Sequence, residues 1–525
     1  MALRLPKPIH LAAIDAGSNA FRLIVSNVRS IDEWEIVESV RAPVRLGHSA
    51  FTSGLLDRKT LRDATAAFRE FRKIMDRHGV TAYRAVATSA AREAGNRHVL
   101  IERIRQYAQI NLEIISGDEE ARLVCLAALR AMRNYDSPRF ILDLGGGSLE
   151  LNVLRNGVLQ ESTGLPLGTV RLMEAFKAQG VIHENTANEI RSHVWSVLQS
   201  AVPNRPRIAT SLAVACGGNA ETLATIAPGT RVGGFATLSP RLLNDRLWQI
   251  LQLDVEGRMR LFGVRPDRSE VMGVAAIVLV TVARWLRLQQ MITPRVGVRE
   301  GLLYNLAAAQ MLPPAPTPEQ RKHSQVILAG AESFACRVHC DLKHAQQVRS
   351  LALQLFDKLW PYHRLDLESR TILEAAATLH DSGVLINRKG HHRHGEYLIR
   401  NSKIPGLRGW AKNMTACLVR YHNKKSEPST AHKVFAMLDA EHRKTTRILS
   451  GMLRLAERLE SDHSQAIARL NFEGGPREVR IHVELRDNSR LNLAGIERKA
   501  RLLERELNLR LSFQRVLVVE KERVA

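Results

Sequence analysis

Two aspartates that each end an apolar stretch directly before a glycine-rich turn are the residues best suited to chemistry. The segments "AAIDAGSN" and "FILDLGGGSLEL" place Asp15 and Asp143 there, and Glu150 follows the second turn. Small residues let consecutive backbone N–H groups converge on an anion, while a neighbouring carboxylate can hold a divalent metal ion or its water. A tight hairpin turn explains each segment taken alone. Together the two segments indicate a phosphate site beside a metal ion.

A third glycine turn supports this interpretation. In "LAVACGGNAETLA" an apolar strand pattern is followed by Gly217 and Gly218 and then by a helical pattern. Three such turns after strands favour a site for a phosphate chain over three independent structural turns. The residues predicted to bind phosphate through these turns are Gly17, Ser18, Asn19, Gly145, Gly146, Gly147, Ser148, Gly217 and Gly218.

The elements that must position these turns have an α/β pattern. Short apolar runs of strand type alternate with helical stretches, such as the one from Asp57 to His78, and this alternation predicts a mixed or parallel sheet. The segments "HLAAIDAGSN" and "RFILDLGGGS" each begin the same plan of strand, aspartate, small residues, second strand, turn and third strand. We interpret the repeat as two duplicated α/β domains that face each other across a cleft.

A proline-dense stretch, "LPPAPTP", separates this region from a helical region rich in histidine and arginine and therefore predicts a domain boundary. The predicted organisation is α/β domain I over residues 1–135, α/β domain II over 136–311, a linker over 312–319, a helical domain over 320–470 and a small α/β domain over 471–525.

The net charge and the composition limit the classes of molecule that the protein can be expected to bind. The 525 residues are 45% hydrophobic and 25% charged, as in a globular protein of several domains, and the formal net charge is +23. Such an excess attracts polyanions, with nucleic acid, an anionic membrane surface and polyphosphate all admissible. Aromatic residues make up only 5% of the chain, and no motif for an aromatic stacking platform is present. No specific nucleic-acid partner is predicted.

The cysteine content and the length of the apolar runs predict a cytoplasmic protein. The five cysteines are few and mostly lie in apolar surroundings, which suits reduced thiols. The longest apolar run, Val274 to Ala283, ends at Arg284 and is far shorter than the roughly 20 residues that span a bilayer. We expect it to be a buried helix, and we predict no membrane partner.

The order of these motifs resembles a known family. The segments "AAIDAGSNAFRLIV", "ATSAAREAGN", "EIISGDEEARL", "ILDLGGGSLEL", "LPLGTVRL" and "ACGGNAETLA", between about Leu11 and Leu306, are similar to the exopolyphosphatase and guanosine pentaphosphate phosphatase family. That family belongs to a wider group of actin-like folds. The resemblance implies two ribonuclease-H-like domains with hydrolysis in the cleft between them, and it implies a homodimer.

The resemblance also implies roles for individual residues. Glu120 in "GDEEARL" matches the residue that activates the attacking water, and a carboxylate is a suitable general base. Otherwise, Glu119 and Glu120 would simply complement the dipole at a helix N-terminus. Arg92 in "TSAAREAGN" and Arg22 after the first turn would bind phosphoryl oxygens through their guanidinium groups.

A divalent cofactor follows from the carboxylates beside the glycine turns. We expect Mg²⁺ or Mn²⁺ to be held mainly by Asp143 and Glu150, with Asp15 acting through water. The ion would bridge the terminal phosphoryl oxygens of the substrate.

The second half carries a different set of histidines. It resembles the HD metal-phosphohydrolase helical domain of long family members, in which paired His and Asp residues hold a divalent ion. The possible second site consists of His344, His380, Asp381, His394 and His422. The pattern expects a later aspartate where this chain has Glu457, whereas Asp462 is out of register. A second phosphohydrolase and a structural or polyanion-binding role both stay open.

The leading hypothesis for function is an exopolyphosphatase that releases orthophosphate from inorganic polyphosphate. The nearest alternative is hydrolysis of the 5′ γ-phosphate of guanosine pentaphosphate, which would use the same residues. A non-enzymatic regulator that binds polyanions through the basic surface is an alternative of another class. A sugar kinase or chaperone-like ATPase is disfavoured because "GDEEARL" and "ACGGNAET" resemble the phosphatase family's versions.

Overall fold

The first α/β domain is built on a five-stranded sheet with the order β3-β2-β1-β4-β5. The computed structural model describes residues 3–133, 135, 138–202, 210–423, 426–486 and 493–517. The strands are β1 (Ile9–Ala16), β2 (Phe21–Val28), β3 (Trp34–Ala42), β4 (Ala82–Ala87) and β5 (Leu112–Ile114). Strands β1 to β3 form an antiparallel meander, while β4 and β5 run parallel to β1.

The helices of this part of the chain are α1 (Leu46–Ser53), α2 (Arg58–Arg77), α3 (Ser89–Glu93), α4 (Arg97–Ala108) and α5 (Gly117–Ala131). Helices α2, α3 and α4 pack against this sheet, whereas α5 packs against the sheet of the second α/β domain. Asp57 caps α2 by accepting the N–H of Thr60 at 2.7 Å, and Ser116 caps α5 by accepting the N–H of Glu119 at 3.2 Å. Such caps satisfy N–H groups that the first helical turn leaves without partners.

The second α/β domain repeats this arrangement. Its six-stranded sheet has the order β10-β11-β9-β6-β7-β8. The strands are β6 (Phe140–Leu144), β7 (Leu149–Arg155), β8 (Val158–Leu165), β9 (Thr210–Cys216), β10 (Ala236–Leu238) and β11 (Leu288–Thr293). Strands β6 to β8 form the antiparallel meander, β9 is parallel to β6 and β11 to β9, and β10 adds an antiparallel edge. The predicted duplication and the actin-like α/β fold are confirmed.

The helices of the second domain are α6 (Thr169–Ala175), α7 (Glu184–Ala201), α8 (Gly218–Ile226), α9 (Pro240–Asp245), α10 (Leu247–Leu251), α11 (Val255–Phe262), α12 (Pro266–Leu286) and α13 (Val298–Met311). Helices α6 to α11 pack around the long apolar helix α12. By length and composition α12 could cross a membrane, but 89% of its most apolar window is buried within the protein. It forms part of the hydrophobic core of this domain, as predicted for the apolar run within it.

The two α/β domains, residues 9–28 and 34–306, form one compact unit. The other unit comprises the described residues within 1–8, 29–33 and 307–525. The N-terminal residues and the short 29–33 segment therefore group with the C-terminal region rather than with the predicted domain I. The predicted boundary after residue 135 adjoins positions 134, 136 and 137, which lie outside the described residues.

The C-terminal unit is mainly helical with a small sheet. Its helices are α14 (Pro318–Arg337), α15 (Leu342–His363), α16 (Leu367–Leu379), the 3₁₀ helix Ser382–Leu385, α17 (His391–Asn401), α18 (Gly409–Tyr421), α19 (Lys433–Ala436) and α20 (Ala440–Leu459). The sheet has the order β12-β13-β14, with β12 (Ile467–Gly474), β13 (Glu478–Leu485), α21 (Ile496–Leu507) and β14 (Arg510–Leu517). The predicted linker starts directly after α13, and its last two residues belong to α14.

Candidate active site

The three predicted turns line one pocket of about 100 Å³ in the α/β unit. The β1–β2 turn contributes Gly17 to Asn19, the β6–β7 turn contributes Gly145 to Ser148, and Gly217 and Gly218 join β9 to α8. Asp15, Arg22, Glu120 and Asp143 lie in the same lining. Residues that are far apart in the sequence thus meet at one place because the two domains repeat the same strand plan.

The two hairpins place charged residues at equivalent positions. Asp15 is the cross-strand partner of Arg22, and Asp143 is the cross-strand partner of Glu150. Directly opposed residues of an antiparallel pair have their side chains on the same face. The first domain therefore presents a carboxylate with a guanidinium, and the second presents two carboxylates.

Glu150, which the sequence predicts as a main metal ligand, does not line the pocket, although its hydrogen-bond partner Ser148 does. The residue is buried, with 3% of its surface exposed, and the hydroxyl of Ser148 donates to its Oε1 at 2.8 Å. A Cβ at Gly164, which pairs with Glu150 across β7 and β8, would lie 2.8 Å from Glu150 Oε2. The absence of a side chain at Gly164 makes room for this carboxylate.

The carbonyl groups of the β6–β7 turn face helix α6. Gly145 O accepts the N–H of Thr169 at 3.0 Å, and Gly146 O accepts the N–H of Val170 at 2.8 Å. Since the carbonyl and N–H of one peptide unit point in opposite directions, these bonds turn the next N–H groups away from α6. The amide of Gly145 itself donates to Ser148 O at 3.0 Å. Its predicted contact with phosphate is thus replaced by a bond that closes the turn.

Two glycines of these turns have no room for a side chain. A Cβ on Gly147 would lie 2.2 Å from the Ser89 hydroxyl oxygen. Gly217 has φ of +84°, and its Cβ would lie 2.6 Å from Asp143 Oδ1. The left-handed backbone and the close approach both favour glycine, so these positions are constrained by the geometry of the pocket.

The two glutamates at the start of α5 have different surroundings. Glu119 pairs with Arg122 at 2.6 Å and with Arg84 at 3.0 Å and does not line the pocket. Glu120 does line it, and its Oε2 lies 3.2 Å from Arg92 Nη1. A role in compensating the helix dipole is therefore sufficient to explain Glu119, whereas Glu120 also faces the pocket.

Arg92 acts on Glu120 rather than on the pocket itself. Its Nη1 also donates to the Ile115 carbonyl at 2.8 Å, which fixes the guanidinium against the end of β5. Arg92 is not among the lining residues. The structure therefore places it as a support for Glu120, whereas Arg22 does lie in the pocket wall.

Several buried carboxylates share this small volume. Burial raises the pKa of Glu120 to about 8, with Glu150 adding to the rise and Arg92 opposing it. Burial raises the pKa of Asp143 to about 7, with the charges of Glu150 and Asp15 adding. The pKa values of Asp15 and Glu150 are also raised, again mainly by burial. Negative charges held this close favour a positive ion among them.

A hard divalent cation fits this donor set. Asp15, Asp143 and Glu150 offer carboxylate oxygens only, which are the ligands that Mg²⁺ and Mn²⁺ prefer. Burial is the main cause of the raised pKa of each of these carboxyls, and a bound cation would offset the cost of keeping them ionised. The residues present thus suit the predicted ion.

The pocket also contains residues that the sequence patterns did not indicate. They include Thr88, Ser89, Thr169, Asn219, Arg268 and Gly297. Arg268 Nη1 donates to Asn219 Oδ1 at 3.2 Å, and Asn219 Nδ2 donates to Leu144 O at 2.9 Å. Burial lowers the pKa of Arg268 to about 10, so it stays charged at neutral pH. Thr88, Ser89, Thr169 and Asn219 lie within the quoted motifs, whereas Arg268 and Gly297 lie outside them.

A second pocket of about 250 Å³ adjoins the first and shares Asp15, Arg22 and Arg268 with it. Its arginines are Arg22, Arg41, Arg265, Arg268, Arg295 and Arg299. We refer to it as the arginine pocket. Its acidic lining residues are Asp15, Glu221 and Glu300, and among the residues that the structure describes no aromatic side chain lines either pocket. The net positive lining suits an anion that extends beyond the first pocket.

The predicted second site separates into two groups in the C-terminal unit. The groups are His344 with His380 and Glu457, and Asp381 with His391 and His422. His391 stands where His394 was predicted, because His394 lies three residues further along α17 and belongs to neither group. Three helical residues correspond to about 4.5 Å along the helix axis. Glu457 takes the position expected for an aspartate.

Comparisons with known proteins agree with this architecture. Residues 24–310 match the profile of the Ppx/GppA phosphatase family, and residues 327–509 match that of domain III of Ppx/GppA phosphatases. A guanosine-5′-triphosphate,3′-diphosphate pyrophosphatase of Aliivibrio fischeri is 24% identical over 449 residues, which cover 85% of this chain and 86% of the relative.

Solved structures show the same fold for the α/β unit. An exopolyphosphatase from Cytophaga hutchinsonii has a TM-score of 0.51 at 23% identity and covers 57% of this chain and 98% of its own. An exopolyphosphatase-like protein has a TM-score of 0.52 at 23% identity with the same coverage.

Proposed function

The chain belongs to the Ppx/GppA phosphatase family, and on that premise we propose that it hydrolyses the terminal phosphoanhydride bond of inorganic polyphosphate and releases orthophosphate. We refer to the pocket lined by the three glycine turns as the catalytic pocket. The observation that supports polyphosphate as the substrate is the arginine pocket beside it. A polyphosphate chain carries negative charge along its whole length, so the phosphoryl groups that follow the terminal one also need cationic partners on the protein. The net charge of +23 would further draw such a polyanion to the protein.

The proposed reaction is an in-line attack of water on the terminal phosphorus. Glu120 orients the water and accepts its proton while the new O–P bond forms and the bond to the bridging oxygen breaks. The shortened polyphosphate leaves with the electrons of that bond. The turn amides and Arg268 would hold the terminal phosphoryl oxygens, on which charge accumulates in the transition state.

Arg92 has a positioning role in this proposal. Its bonds to Glu120 and to the Ile115 carbonyl keep the glutamate directed towards the pocket. Its charge lowers the pKa of Glu120, which increases the fraction of ionised base at a given pH. Arg22, in contrast, is proposed to contact the phosphate chain directly.

The sequence predicts Asp143 and Glu150 as the main ligands of Mg²⁺ or Mn²⁺ and Asp15 as a ligand through water. Because Asp15 and Asp143 line the pocket and Glu150 does not, we propose that Asp143 and Asp15 would hold the ion and that Glu150, the cross-strand partner of Asp143, would complete the carboxylate set. When bound, such an ion supplies charge neutralisation at the phosphoryl oxygens. The role of this chain's residues is to bring oxygen donors together in a buried place next to the phosphate-binding amides.

A second candidate is hydrolysis of the 5′ γ-phosphate of guanosine pentaphosphate. It is favoured by the Aliivibrio fischeri relative, which is named for that class of nucleotide. The same Glu120, turns and metal ligands would serve this reaction. The two candidates differ in what occupies the arginine pocket. In the described part of the chain, the lining of that pocket includes no aromatic residue on which guanine could stack.

A substrate panel tests the proposal. The full chain is incubated with long-chain polyphosphate, guanosine pentaphosphate, ATP and p-nitrophenyl phosphate, with and without Mg²⁺, and phosphate release is measured. The proposal predicts the highest kcat/KM for polyphosphate. A higher value for guanosine pentaphosphate would support the second candidate. Folded protein that releases phosphate from neither would support the non-enzymatic regulator.

A further inference from the structure

Helix α6 binds the carbonyl groups of three consecutive glycines in the β6–β7 turn. The backbone N–H groups of residues 169–171 donate to the carbonyls of Gly145 and Gly146 at distances from 2.8 to 3.0 Å. The carbonyl of Gly147 has a side-chain partner, because Arg171 Nε donates to it at 2.7 Å. Arg171 thus fixes the third carbonyl of the series through its guanidinium group.

The bond from Arg171 determines where the next N–H group points. The carbonyl of Gly147 and the N–H of Ser148 belong to one planar peptide unit and point in opposite directions. A Cβ on Gly168 would lie 2.3 Å from Ser148 N, so the backbone before α6 covers one face of this peptide. Within the described part of the chain the Ser148 N–H has no hydrogen-bond partner, and the residue lines the catalytic pocket. This N–H is therefore available to an anion in that pocket.

The same guanidinium group contacts the first α/β domain. Arg171 Nη2 donates to Glu93 Oε1, and Arg171 Cζ lies 4.3 Å from the centre of the Phe51 ring. Glu93 Oε1 also accepts the hydroxyl of Ser89 at 3.3 Å. Phe51 lies in α1, and Ser89 and Glu93 lie in α3. Arg171 therefore connects the β6–β7 turn of the second domain to two helices of the first.

Gly147 packs against the same two helices. A Cβ at this position would lie 2.2 Å from Ser89 Oγ and 2.6 Å from Phe51 Cζ. The side chains of Arg171 and Glu93 are 24% and 45% exposed, and an ion pair this accessible to water contributes little to stability. Its loss should therefore alter the orientation of the turn more than the stability of the domain.

From these contacts we propose that Arg171 is a positioning residue for the terminal phosphoryl group. It holds the Gly147–Ser148 peptide so that the N–H of Ser148 faces the phosphoryl oxygens, and its pair with Glu93 makes this orientation depend on the first domain. The inference rests on the proposed function, because it assigns a role at the same site. Loss of one such preorganised donor typically lowers kcat by about 10²-fold or more.

Selective labelling of the full chain tests this orientation without turnover. Gly17–Ser18 and Gly147–Ser148 are the only glycine–serine dipeptides of the sequence, and both serines line the catalytic pocket. Protein made by cell-free synthesis with ¹³C-carbonyl glycine and ¹⁵N-serine therefore gives one dipeptide-selected amide resonance for each. Saturating inorganic phosphate should shift both resonances in the wild type. In R171Q we expect the Ser148 shift to fall about threefold, because a misdirected N–H bonds an anion poorly, while Ser18 keeps its shift.

The two resonances separate the possible outcomes. An equal Ser148 shift in R171Q and in the wild type would overturn this role for Arg171 and leave the proposed function intact. Loss of both shifts in R171Q, with an unchanged circular dichroism spectrum, would also overturn it, because Arg171 would then support the whole pocket. Phosphate that shifts neither resonance in the wild type would contradict the phosphate site itself, and with it both proposals.

Steady-state kinetics give a second readout that a purely structural role would not produce. With the best substrate of the panel, R171Q should lose about 10²-fold in kcat while KM stays within about threefold. R171K should recover only part of this loss, because one amine cannot take both places of the guanidinium fork. A folded R171Q with wild-type kcat would contradict the proposal.

Glu93 tests the contribution of the first domain. If Glu93 acts through Arg171, kcat of R171Q/E93Q should equal that of R171Q. E174Q is the matched control, because Glu174 joins α6 to His48 of the first domain at 2.9 Å but does not line the catalytic pocket. It should retain the wild-type kcat and Ser148 shift. A further loss in R171Q/E93Q, or an equal loss in E174Q, would contradict coupling through Arg171.

Discussion

Arg92 Nη1 lies 3.2 Å from Glu120 Oε2 and donates at the same time to the Ile115 carbonyl at 2.8 Å. The arginine is thus attached to the backbone at the end of one strand and to a carboxylate in the first turn of the following helix. The positive charge of Arg92 opposes the rise in the pKa of Glu120 that burial causes.

Replacing Arg92 should move the pH dependence of the reaction. A general base must be ionised, and the positive charge of Arg92 lowers the pKa of Glu120. In R92Q that pKa rises, so the acidic limb of kcat/KM for polyphosphate should shift to higher pH by about one unit. Activity at neutral pH should fall roughly tenfold.

The control for this prediction is R84Q. Arg84 pairs with Glu113 and Glu119 outside the pocket, so its removal should leave the pH profile in place. An unchanged acidic limb in R92Q, with the protein folded, would show that Arg92 does not tune Glu120.

A methyl group at Gly164 should disturb the metal ligands without unfolding the domain. The added Cβ would lie 2.8 Å from Glu150 Oε2, the end of a flexible side chain, so the carboxylate moves rather than the backbone. We expect G164A to raise the Mg²⁺ concentration for half-maximal activity by about tenfold. S162A, in the same strand, is the control. Wild-type Mg²⁺ dependence in G164A would argue against a role for Glu150 at the metal.

The arginine pocket should matter more for long substrates than for short ones. Arg265 and Arg295 line that pocket but not the catalytic one. In R265Q/R295Q we expect KM for long-chain polyphosphate to rise about tenfold with little change in kcat, while hydrolysis of tripolyphosphate is nearly unaffected.

A charge-matched control separates this effect from the overall charge. R241Q/R260Q removes two positive charges from exposed positions outside both pockets. Equal increases in KM in the two double variants would mean that the net charge of the protein, rather than the arginine pocket, binds the chain.

Local sequence was sufficient to predict the hairpins and the duplicated domains. Glycine and aspartate at the ends of apolar strands determine turns through their own backbone preferences, and both meanders formed where expected. Glu119 and Glu120 are neighbours in the first turn of α5, and their surroundings differ because their side chains point in different directions. That direction depends on how the helix packs against the sheet, so the residues alone left two explanations open.

The contributions that were missed depend on distant contacts. Arg268 lies in the first turn of α12 and donates a hydrogen bond to Asn219 of α8, at the wall of the pocket. No local sequence pattern indicates this long-range contact. The sequence predicts His394 rather than His391 for the second site, because both lie in one histidine-rich segment. The end of the preceding loop and the start of α17 decide which ring faces Asp381. The homodimer and the cytoplasmic location stay predictions.

The most direct test of the proposed reaction compares E120Q with E119Q. Both variants remove one negative charge from the first turn of α5, but only Glu120 lines the pocket. With polyphosphate and Mg²⁺, kcat of E120Q should fall by about 10³-fold, while E119Q should stay within about threefold of the wild type. A folded E120Q that retains near-wild-type kcat would contradict the assignment of Glu120 as the general base.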